Sequence, residues 1–362
     1  ILGVQRELPG QIGFEATLVY SHGYDLPVLR QLNYVPTQYL NNLAGVTDFN
    51  TISTAISTVS TFLTTTVANP FRGLVPTNAT WNGNTLARYR LITANPQFQD
   101  LVTTEYNGTS DYASLQIQAV KRYSKGLSLN ATYTYAYDHE KTRRLNPQDL
   151  ELSDSISTNS RPHRFTFSGI YELPFGKNRS FGSNWNGWVD GFLGGWQLQA
   201  IYERQSGEPL VLPNVYYNGD PKNLTNKLGQ YDDQGRRYGV DIPAFDTAGF
   251  FLTNPTTGAL TVPAFGGNYA TSSQNVLRNM PYVLDNFRNQ YFQKFDAGLT
   301  KNFKIREGMK LQVRVEGINV MNWVNFTGLN LTPSTGSTST FGLVNAQRNL
   351  PRDIQLGARF TF

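Results

Sequence analysis

Residues 352–362, RDIQLGARFTF, alternate between two kinds of side chain. Ile354, Leu356, Ala358, Phe360 and Phe362 are apolar, whereas the residues between them are polar or glycine. A period of two residues is typical of a β-strand whose two faces meet different surroundings. The chain must therefore accommodate strands that have one apolar face and one polar face.

The same alternation recurs along the rest of the chain. It predicts β-strands near residues 2–8, 11–20, 112–123, 127–137, 163–173, 195–204, 292–303, 309–319 and 352–362. Two lysines, Lys121 and Lys301, fall on apolar faces. Both lie near a strand end, where a long side chain can carry its amino group to a polar region.

The connections between these strands alternate between short and long. The links LPG, SKG and IREG are short, residues 174–193 form a medium-length turn, and four long segments cover about 21–111, 138–162, 205–291 and 321–351. Such long connections are uncommon in a compact soluble domain. Short turns at one end and long loops at the other are typical of an outer-membrane β-barrel, whose apolar band of ~25 Å is crossed by a tilted strand of ~11 residues.

Composition excludes several other classes of protein. Charged residues make up 16% of the chain, against about 25% in typical globular domains. The absence of cysteine excludes disulfides and thiolate metal sites. No apolar run is long enough for a transmembrane helix. The net charge of +5 is scattered, so we expect no nucleic-acid partner.

The sequence therefore predicts an all-β protein, a transmembrane antiparallel β-barrel with long extracellular loops. A soluble antiparallel sandwich is the alternative, because its apolar faces would also alternate with polar ones. Tyr133, Tyr135 and Tyr137 follow one another along an apolar face, and Trp196 begins another strand. Aromatic residues at strand ends favour the girdles of a membrane barrel.

The polar faces carry charges of both signs, which we expect to face the barrel lumen. They are Glu15, Arg122, Arg164, Glu172, Glu203, Asp296, Arg314, Glu316, Asp353 and Arg359. One interpretation is a solvated lumen wall. The other is a set of residues that hydrogen-bond an internal plug and line a permeation path, and the two are compatible.

Several segments resemble TonB-dependent outer-membrane transporters, and most closely the Oar-like members that carry a carboxypeptidase-regulatory-like domain. These segments cover residues 2–27, 68–76, 112–138, 161–178 and 295–326, for example FDAGLTKNFKIREGMKLQVRVEGINVMNWVNF. The resemblance implies that residues 1–362 are the C-terminal part of a barrel of about 22 strands. It also implies that the plug and any N-terminal domain lie outside this chain, and that Phe360 and Phe362 form the barrel-assembly signal.

The resemblance further implies TonB-dependent active transport of a bulky solute across the bacterial outer membrane. The partners would be outer-membrane lipid, the barrel-assembly machinery, an extracellular solute, and the TonB complex, which would act through the missing plug. A non-transporting adhesion or structural barrel and a passive porin are the alternatives. Candidate solute contacts are aromatic or basic loop residues, which can equally serve loop packing: Tyr216, Tyr217, Arg236, Arg237, Tyr238 and Trp323.

We expect no enzymatic activity, metal or cofactor. His22, His139 and His163 show no metal-binding spacing, and no nucleophile elbow is present. We interpret YDDQGRR at 231–237 as a solvated loop, because it lacks the spaced ligands of a calcium loop. Within 48–66, Ile52, Ile56, Val59 and Phe62 or Leu63 follow helical spacing and predict a short amphipathic helix.

Overall fold

The computed structural model describes residues 1–98, 100–263, 265 and 275–362. Its largest element is an antiparallel sheet, here called the wall, in which successive long strands pair in chain order. The strands are β1 (Leu2–Leu8), β2 (Ile12–Gln31), β3 (Val102–Ser124), β4 (Leu127–Lys141), β5 (His163–Glu172), β6 (Trp196–Gln205), β7 (Phe292–Arg306), β8 (Met309–Ile318) and β9 (Asp353–Thr361). The prediction of an all-β, antiparallel architecture is confirmed.

Smaller elements lie in the connections. The described residues form two α-helices, α1 (Phe49–Thr64) and α2 (Gly187–Leu193), and short 3-10 helices at Thr37–Tyr39, Arg88–Arg90, Pro221–Asn223 and Ala248–Phe250. Strand Ser155–Ile156 pairs with β4. Three two-stranded sheets join Thr66–Ala68 to Thr85–Ala87, Leu252–Thr253 to Leu260–Thr261, and Phe326–Leu329 to Val344–Gln347. In the described part of the chain, no helix is both long and apolar enough to cross a membrane.

The register of the wall separates apolar from polar side chains. Leu299 of β7 lies opposite Leu198 of β6 and Val315 of β8, whereas the next residue, Thr300, lies opposite Gln197 and Arg314. Such rows give the sheet one apolar and one polar face, because successive side chains of a strand point to opposite faces. The apolar face is exposed, with Leu18 at 53%. The wall therefore differs from a soluble sandwich, whose apolar faces are buried.

Strands β2, β3 and β4 run well beyond the predicted segments 11–20, 112–123 and 127–137. In β2 the alternation is interrupted near Asp25, which has a φ of 53°, and the register with β3 shifts on either side of Leu26. This irregularity changes which side chains point inward, so that Val28 is buried although the simple alternation ends before it. The irregularity explains why the period of two did not reveal the ends of β2 and β3 beyond Leu26 and Gly108.

The wall is an open sheet in the described residues, and β1 and β9 are its edges. Closure of the sheet and the expected total of about 22 strands therefore stay predictions. All the short connections lie at one end of the wall. The tight turns contain Gly10, Gly126 and Gly308, each with a positive φ that glycine adopts without steric cost.

The long connections pack together at the opposite end. The cap is defined here as the described residues of the segments 32–101, 142–162, 206–291 and 319–352. One buried cluster joins the third and fourth segments and includes Leu212, Phe245, Phe287 and Phe341. A second cluster joins the first and third segments. The cap thus has a hydrophobic core of its own, although its segments read as polar loops.

Helix α1 lies in this cap and confirms the predicted amphipathic helix. The carboxylate of Asp48 accepts a hydrogen bond from the backbone N–H of Thr51 at 2.7 Å, which is the expected role of an N-cap residue. Ile52, Ile56 and Leu63 form its buried stripe. Spacing of three to four residues places these side chains on one face of the helix.

Candidate functional site

The polar face of the wall carries the charges that the sequence predicted for a lumen. The strand registers and the residues around Arg122 place all ten on the same face of the sheet: Glu15, Arg122, Arg164, Glu172, Glu203, Asp296, Arg314, Glu316, Asp353 and Arg359. On this face Arg164 pairs with Glu203 (3.1 Å) and Arg314 pairs with Glu316 (3.8 Å), and within each pair the two charges neutralise each other. A surface with paired charges of both signs suits a hydrated interior. It does not favour solutes of one sign of charge.

The charged face contains a recess of about 750 Å³ near the turn end of β1, β2 and β3. Gln5, Glu7, Glu15, Gln118 and Arg122 contribute to its lining. These side chains offer both donors and acceptors. The recess can therefore hydrogen-bond a polar protein segment or hold water.

An ion-pair cluster connects the wall to the cap at the ends of β2 and β3 that lie next to the cap. Glu105 accepts hydrogen bonds from Arg30 and Arg144, each at 2.7 Å. Arg144 belongs to the segment 142–162, and its side chain is almost completely buried. Since charge-assisted hydrogen bonds are among the stronger polar contacts, this cluster fixes one loop of the cap to the wall.

A second cluster joins three cap segments around Glu208. Its carboxylate accepts hydrogen bonds from Arg161 at 2.7 Å, from Arg348 at 2.7 and 2.9 Å, and from Asn289 at 3.0 Å. Burial alone would raise the pKa of Glu208, but the hydrogen bonds and positive charges of Arg348 and Arg161 outweigh it and lower that pKa. Glu208 is therefore ionised at neutral pH and ties the cap segments together.

Two of the candidate solute contacts, Tyr216 and Tyr217, contribute to the core of the cap. Tyr216 is only 3% exposed, and its ring packs edge-on against Phe265 with 6.0 Å between centroids. The ring of Tyr217 lies 4.8 Å from that of Phe250. Burial raises the pKa of both phenols. Their rings pack against apolar neighbours rather than presenting an open aromatic surface.

The candidate basic residues Arg236 and Arg237 lie on a turn. Asp232 accepts hydrogen bonds from the backbone N–H groups of Gln234 and Arg236 and from the Arg236 guanidinium, at 3.0, 2.8 and 2.7 Å. Burial opposes ionisation of Asp232, but these hydrogen bonds lower its pKa overall. The guanidinium of Arg237 lies 4.5 Å above the ring of Phe326. The segment 231–237 is thus a turn closed by Asp232, and Arg237 packs it against the fourth segment of the cap.

Of the last two candidates, Tyr238 directly follows this turn and its backbone N–H donates to the carbonyl of Gln230 at 2.9 Å, whereas Trp323 belongs to another cap segment. Lys227 lies over the ring of Tyr238 at 5.2 Å. The ring of Trp323 lies 6.1 Å from that of Tyr202 on β6. The structure therefore does not gather the six candidate contacts into one site.

A cleft of about 700 Å³ opens between the third and fourth segments of the cap. Thr247 and Phe251 come from one side, and Ser334, Ser339 and Phe341 from the other. Hydroxyl groups beside aromatic rings can hydrogen-bond and stack against a neutral polar solute. Sequence reasoning missed this cleft, and the only available signal was the Ser/Thr-rich stretch LTPSTGSTST at 331–340.

His22 and His139 lie on either side of Asp111 in one row across three neighbouring strands, whereas His163 lies elsewhere in the wall. His22 contacts Asp111 at 2.8 Å, His139 contacts Asp154 at 3.1 Å, and His163 contacts the hydroxyl of Tyr133 at 2.8 Å. Each pairing involves a different partner. Among the described residues, no group of three or more histidine or acidic side chains is arranged to hold a metal ion.

Comparison with known proteins supplies the family. The family model described as "Outer membrane beta barrel domain" matches residues 1–355. A search of curated proteins gave no match. Among solved structures, the outer membrane transporter YddB from Escherichia coli is similar at 8% sequence identity and a TM-score of 0.37, over 99% of this chain and 32% of that one. The chain spans about a third of the length of that transporter.

The family match covers the wall and the cap alike, since both lie almost entirely within residues 1–355. It agrees with an exposed apolar face and a charged polar face on one antiparallel sheet, which is the arrangement of a barrel in a bilayer. The chain therefore belongs to the outer membrane beta barrel domain family and is located in the outer membrane.

Proposed function

We propose that this domain serves the TonB-dependent active transport of a bulky solute across the outer membrane, as part of a barrel of about 22 strands. The observation that carries the proposal is the packed cap, which stands at one end of a wall with a charged inner face. TonB dependence itself comes from the sequence resemblance to Oar-like transporters.

In this proposal the cap captures the solute outside the cell. The cleft beside Phe251 and Ser334 is a natural place for first contact, because it opens between two cap segments and offers hydroxyl groups beside aromatic rings. The cap rests on the wall through Glu105 and ties its own segments together through Glu208. A bulky solute can pass only if such contacts rearrange, which is consistent with transport that needs an energy input.

Two further partners belong to the proposal. The barrel-assembly machinery would read β9, an edge strand that contains Phe360 and is followed by Phe362, both of them exposed. The TonB complex would act through a plug. The recess lined by Glu7, Glu15 and Arg122 offers polar groups to such a plug.

The test uses the full-length protein that contains this domain. Cells with and without it are given ¹³C-labelled oligosaccharide and peptide mixtures, in backgrounds with and without TonB, and the medium is analysed by mass spectrometry. We expect at least one component to be depleted only when both the protein and TonB are present. A protonophore should abolish the depletion.

The alternative functions give different results in the same experiment. Depletion that is independent of TonB, together with steady ion conductance of the purified protein in planar bilayers, would indicate a passive porin. The absence of any depletion, combined with loss of cell attachment on deletion, would indicate an adhesion or structural barrel.

A further inference from the structure

The connection between β5 and β6, residues 173–195, differs from the other links at its end of the wall. The remaining three links are tight turns around Gly10, Gly126 and Gly308. This one contains helix α2 and exposes several large apolar side chains: Phe175, Phe181, Trp188, Val189, Phe192 and Leu193. Short links lie on the periplasmic side of outer-membrane barrels, so this apolar element lies at the periplasmic rim.

Lys301 fixes the side of the wall on which α2 lies. It lies on the apolar face of β7, opposite Trp196 of β6 and Val313 of β8. Its ammonium group donates hydrogen bonds to the carbonyl oxygens of Gly194 and of Asp190, the latter at 3.3 Å. The C-terminal end of α2 therefore lies against the outer, apolar face of the wall and not against the charged inner face.

Other contacts hold α2 in this position. The indole N–H of Trp196 donates to the carbonyl of Phe192 at 2.8 Å. The rings of Trp196 and Phe303 lie 5.7 and 4.9 Å from the ammonium group of Lys301. Only 3% of Lys301 is exposed. The lysine thus does not extend to water, as its place near a strand end suggested, but binds the end of the helix.

The outward side of α2 has no protein partner in the described part of the chain. Trp188 is 82% exposed and Phe192 is 68% exposed, and no residue of α2 is buried. A helix of seven residues is too short to be stable by itself in water. Its exposed side is continuous with the outer face of β6 and β7, which meets lipid in an outer-membrane barrel.

We propose that residues 181–193 form an interfacial foot, in which Trp188, Phe192 and Leu193 insert into the phospholipids of the periplasmic leaflet. Aromatic side chains favour this interface, and a short amphipathic helix there buries its apolar side about 5–10 Å below the headgroups. The exposed Lys177, whose backbone N–H is held by Asp190 at 2.7 Å, lies beside the foot and suits anionic headgroups. The foot fixes the height of β6 and β7 in the membrane. The inference rests on the outer-membrane location and not on TonB-dependent transport.

The chain contains no cysteine, so once any cysteine outside these residues has been replaced by serine, a single introduced cysteine gives a unique labelling site in the full-length protein. The full-length protein is prepared as the variants Trp188→Cys and Phe192→Cys, labelled with a nitroxide, and reconstituted in vesicles of phosphatidylethanolamine and phosphatidylglycerol. Ser180→Cys, an exposed position in the same connection, is the matched control. Electron paramagnetic resonance then compares collisions with oxygen, which concentrates in lipid, and with a water-soluble nickel chelate.

We expect oxygen collisions to dominate at positions 188 and 192 and nickel collisions to dominate at 180. Dominant nickel collisions at all three positions would overturn the proposal, because the helix would then stand in water. Protection from both reagents at 188 and 192 would also overturn it, because a protein surface would cover the helix.

A second variant tests the attachment of the foot to the wall. Lys301→Met removes the hydrogen bonds to Asp190 and Gly194, so the label at 192 should become more mobile while that at 180 is unchanged. Unchanged mobility at 192 would overturn the role assigned to Lys301. Heat-dependent migration on gels establishes that each variant is folded before the measurement.

Discussion

The wall and the cap use the same apolar residues in opposite ways. Phe360 in the wall is 47% exposed, whereas Phe287 in the cap is completely buried. In the membrane the outside of the protein is apolar and the hydrogen-bonded backbone must be satisfied by neighbouring strands. In the cap, water surrounds the protein, so the apolar side chains turn inward. The two regions therefore obey opposite rules within one chain.

The two regions also satisfy their backbone groups differently. Strand pairing does this in the wall, residue after residue. In the cap, side chains form many of the hydrogen bonds to backbone groups. Buried Arg278 donates to the carbonyl oxygens of Leu212, Met280 and Pro281 at 2.7, 2.5 and 3.0 Å. We therefore expect the wall to tolerate many substitutions that keep its alternation, and the cap to depend on particular residues.

The largest expected effect is the loss of a core side chain in the cap. Phe287→Ala removes a buried ring that lies 5.2 Å from that of Phe245, and such truncations cost about 3–5 kcal/mol. We expect proteinase K to cleave the cap much faster while the wall stays resistant. Tyr135→Ala is the control, since its ring lies on the wall and is already half-exposed. Equal cleavage of the two variants would mean that the cap has no core.

The next effect tests the outward face of the wall. Leu18 lies opposite Leu2 and Leu115 on the apolar face, and an arginine near the bilayer midplane costs about 2–4 kcal/mol. Leu18→Arg should fold in lipid vesicles only at lower urea concentrations than the unmodified protein. Thr17→Arg, one residue away on the polar face, should fold almost normally. The opposite ranking would reverse the assignment of the two faces.

A smaller effect should depend on pH. Glu208→Gln weakens the charge-assisted bonds to Arg161 and Arg348, each of which contributes about 1.5–3 kcal/mol. The pKa of Glu208 is lowered in the folded cap, so its contribution is present above the ordinary glutamate pKa of about 4.3 and is lost as pH falls through the lower folded value. The variant should be less protease-resistant at pH 7 but equal to the unmodified protein in strong acid. A difference that persists there would remove the carboxylate as its cause.

The smallest effect concerns the start of α1. Asp48→Ala removes the acceptor for the backbone N–H of Thr51. We expect faster hydrogen exchange in the first turn of the helix only, because Ile52 and Ile56 still anchor its buried side. Asp48→Ser should restore the protection. Loss of protection along the whole helix would show that the buried side of α1 does not hold the helix in place without Asp48.

The wall could be predicted from the sequence because each of its strands has one face toward lipid and one toward water. These two environments impose a period of two on the side chains. The sequence also revealed α1, whose buried residues follow helical spacing. The extensions of β2 and β3 were missed, because the irregularity at Asp25 shifts the alternation. The core of the cap was missed as well, since Leu212, Phe245 and Phe287 follow no period.

The candidate site was less predictable than the fold. The charged residues of the polar face followed from the alternation. In the loops, however, an aromatic residue buried in the core and one at the edge of a cleft look the same in sequence, as Tyr216 and Phe251 illustrate. The cleft also depends on two segments that lie far apart in the chain. Only their packing brings Thr247 and Ser334 to its walls.

The most direct test of the contrast between wall and cap is hydrogen exchange of the full-length protein in lipid vesicles, followed by mass spectrometry. We expect peptides from 206–263 and 275–291 that contain Leu212, Phe245 or Phe287 to exchange slowly, together with those of the wall. Complete exchange of these peptides within seconds, at the rate of an unfolded chain, would contradict a packed cap.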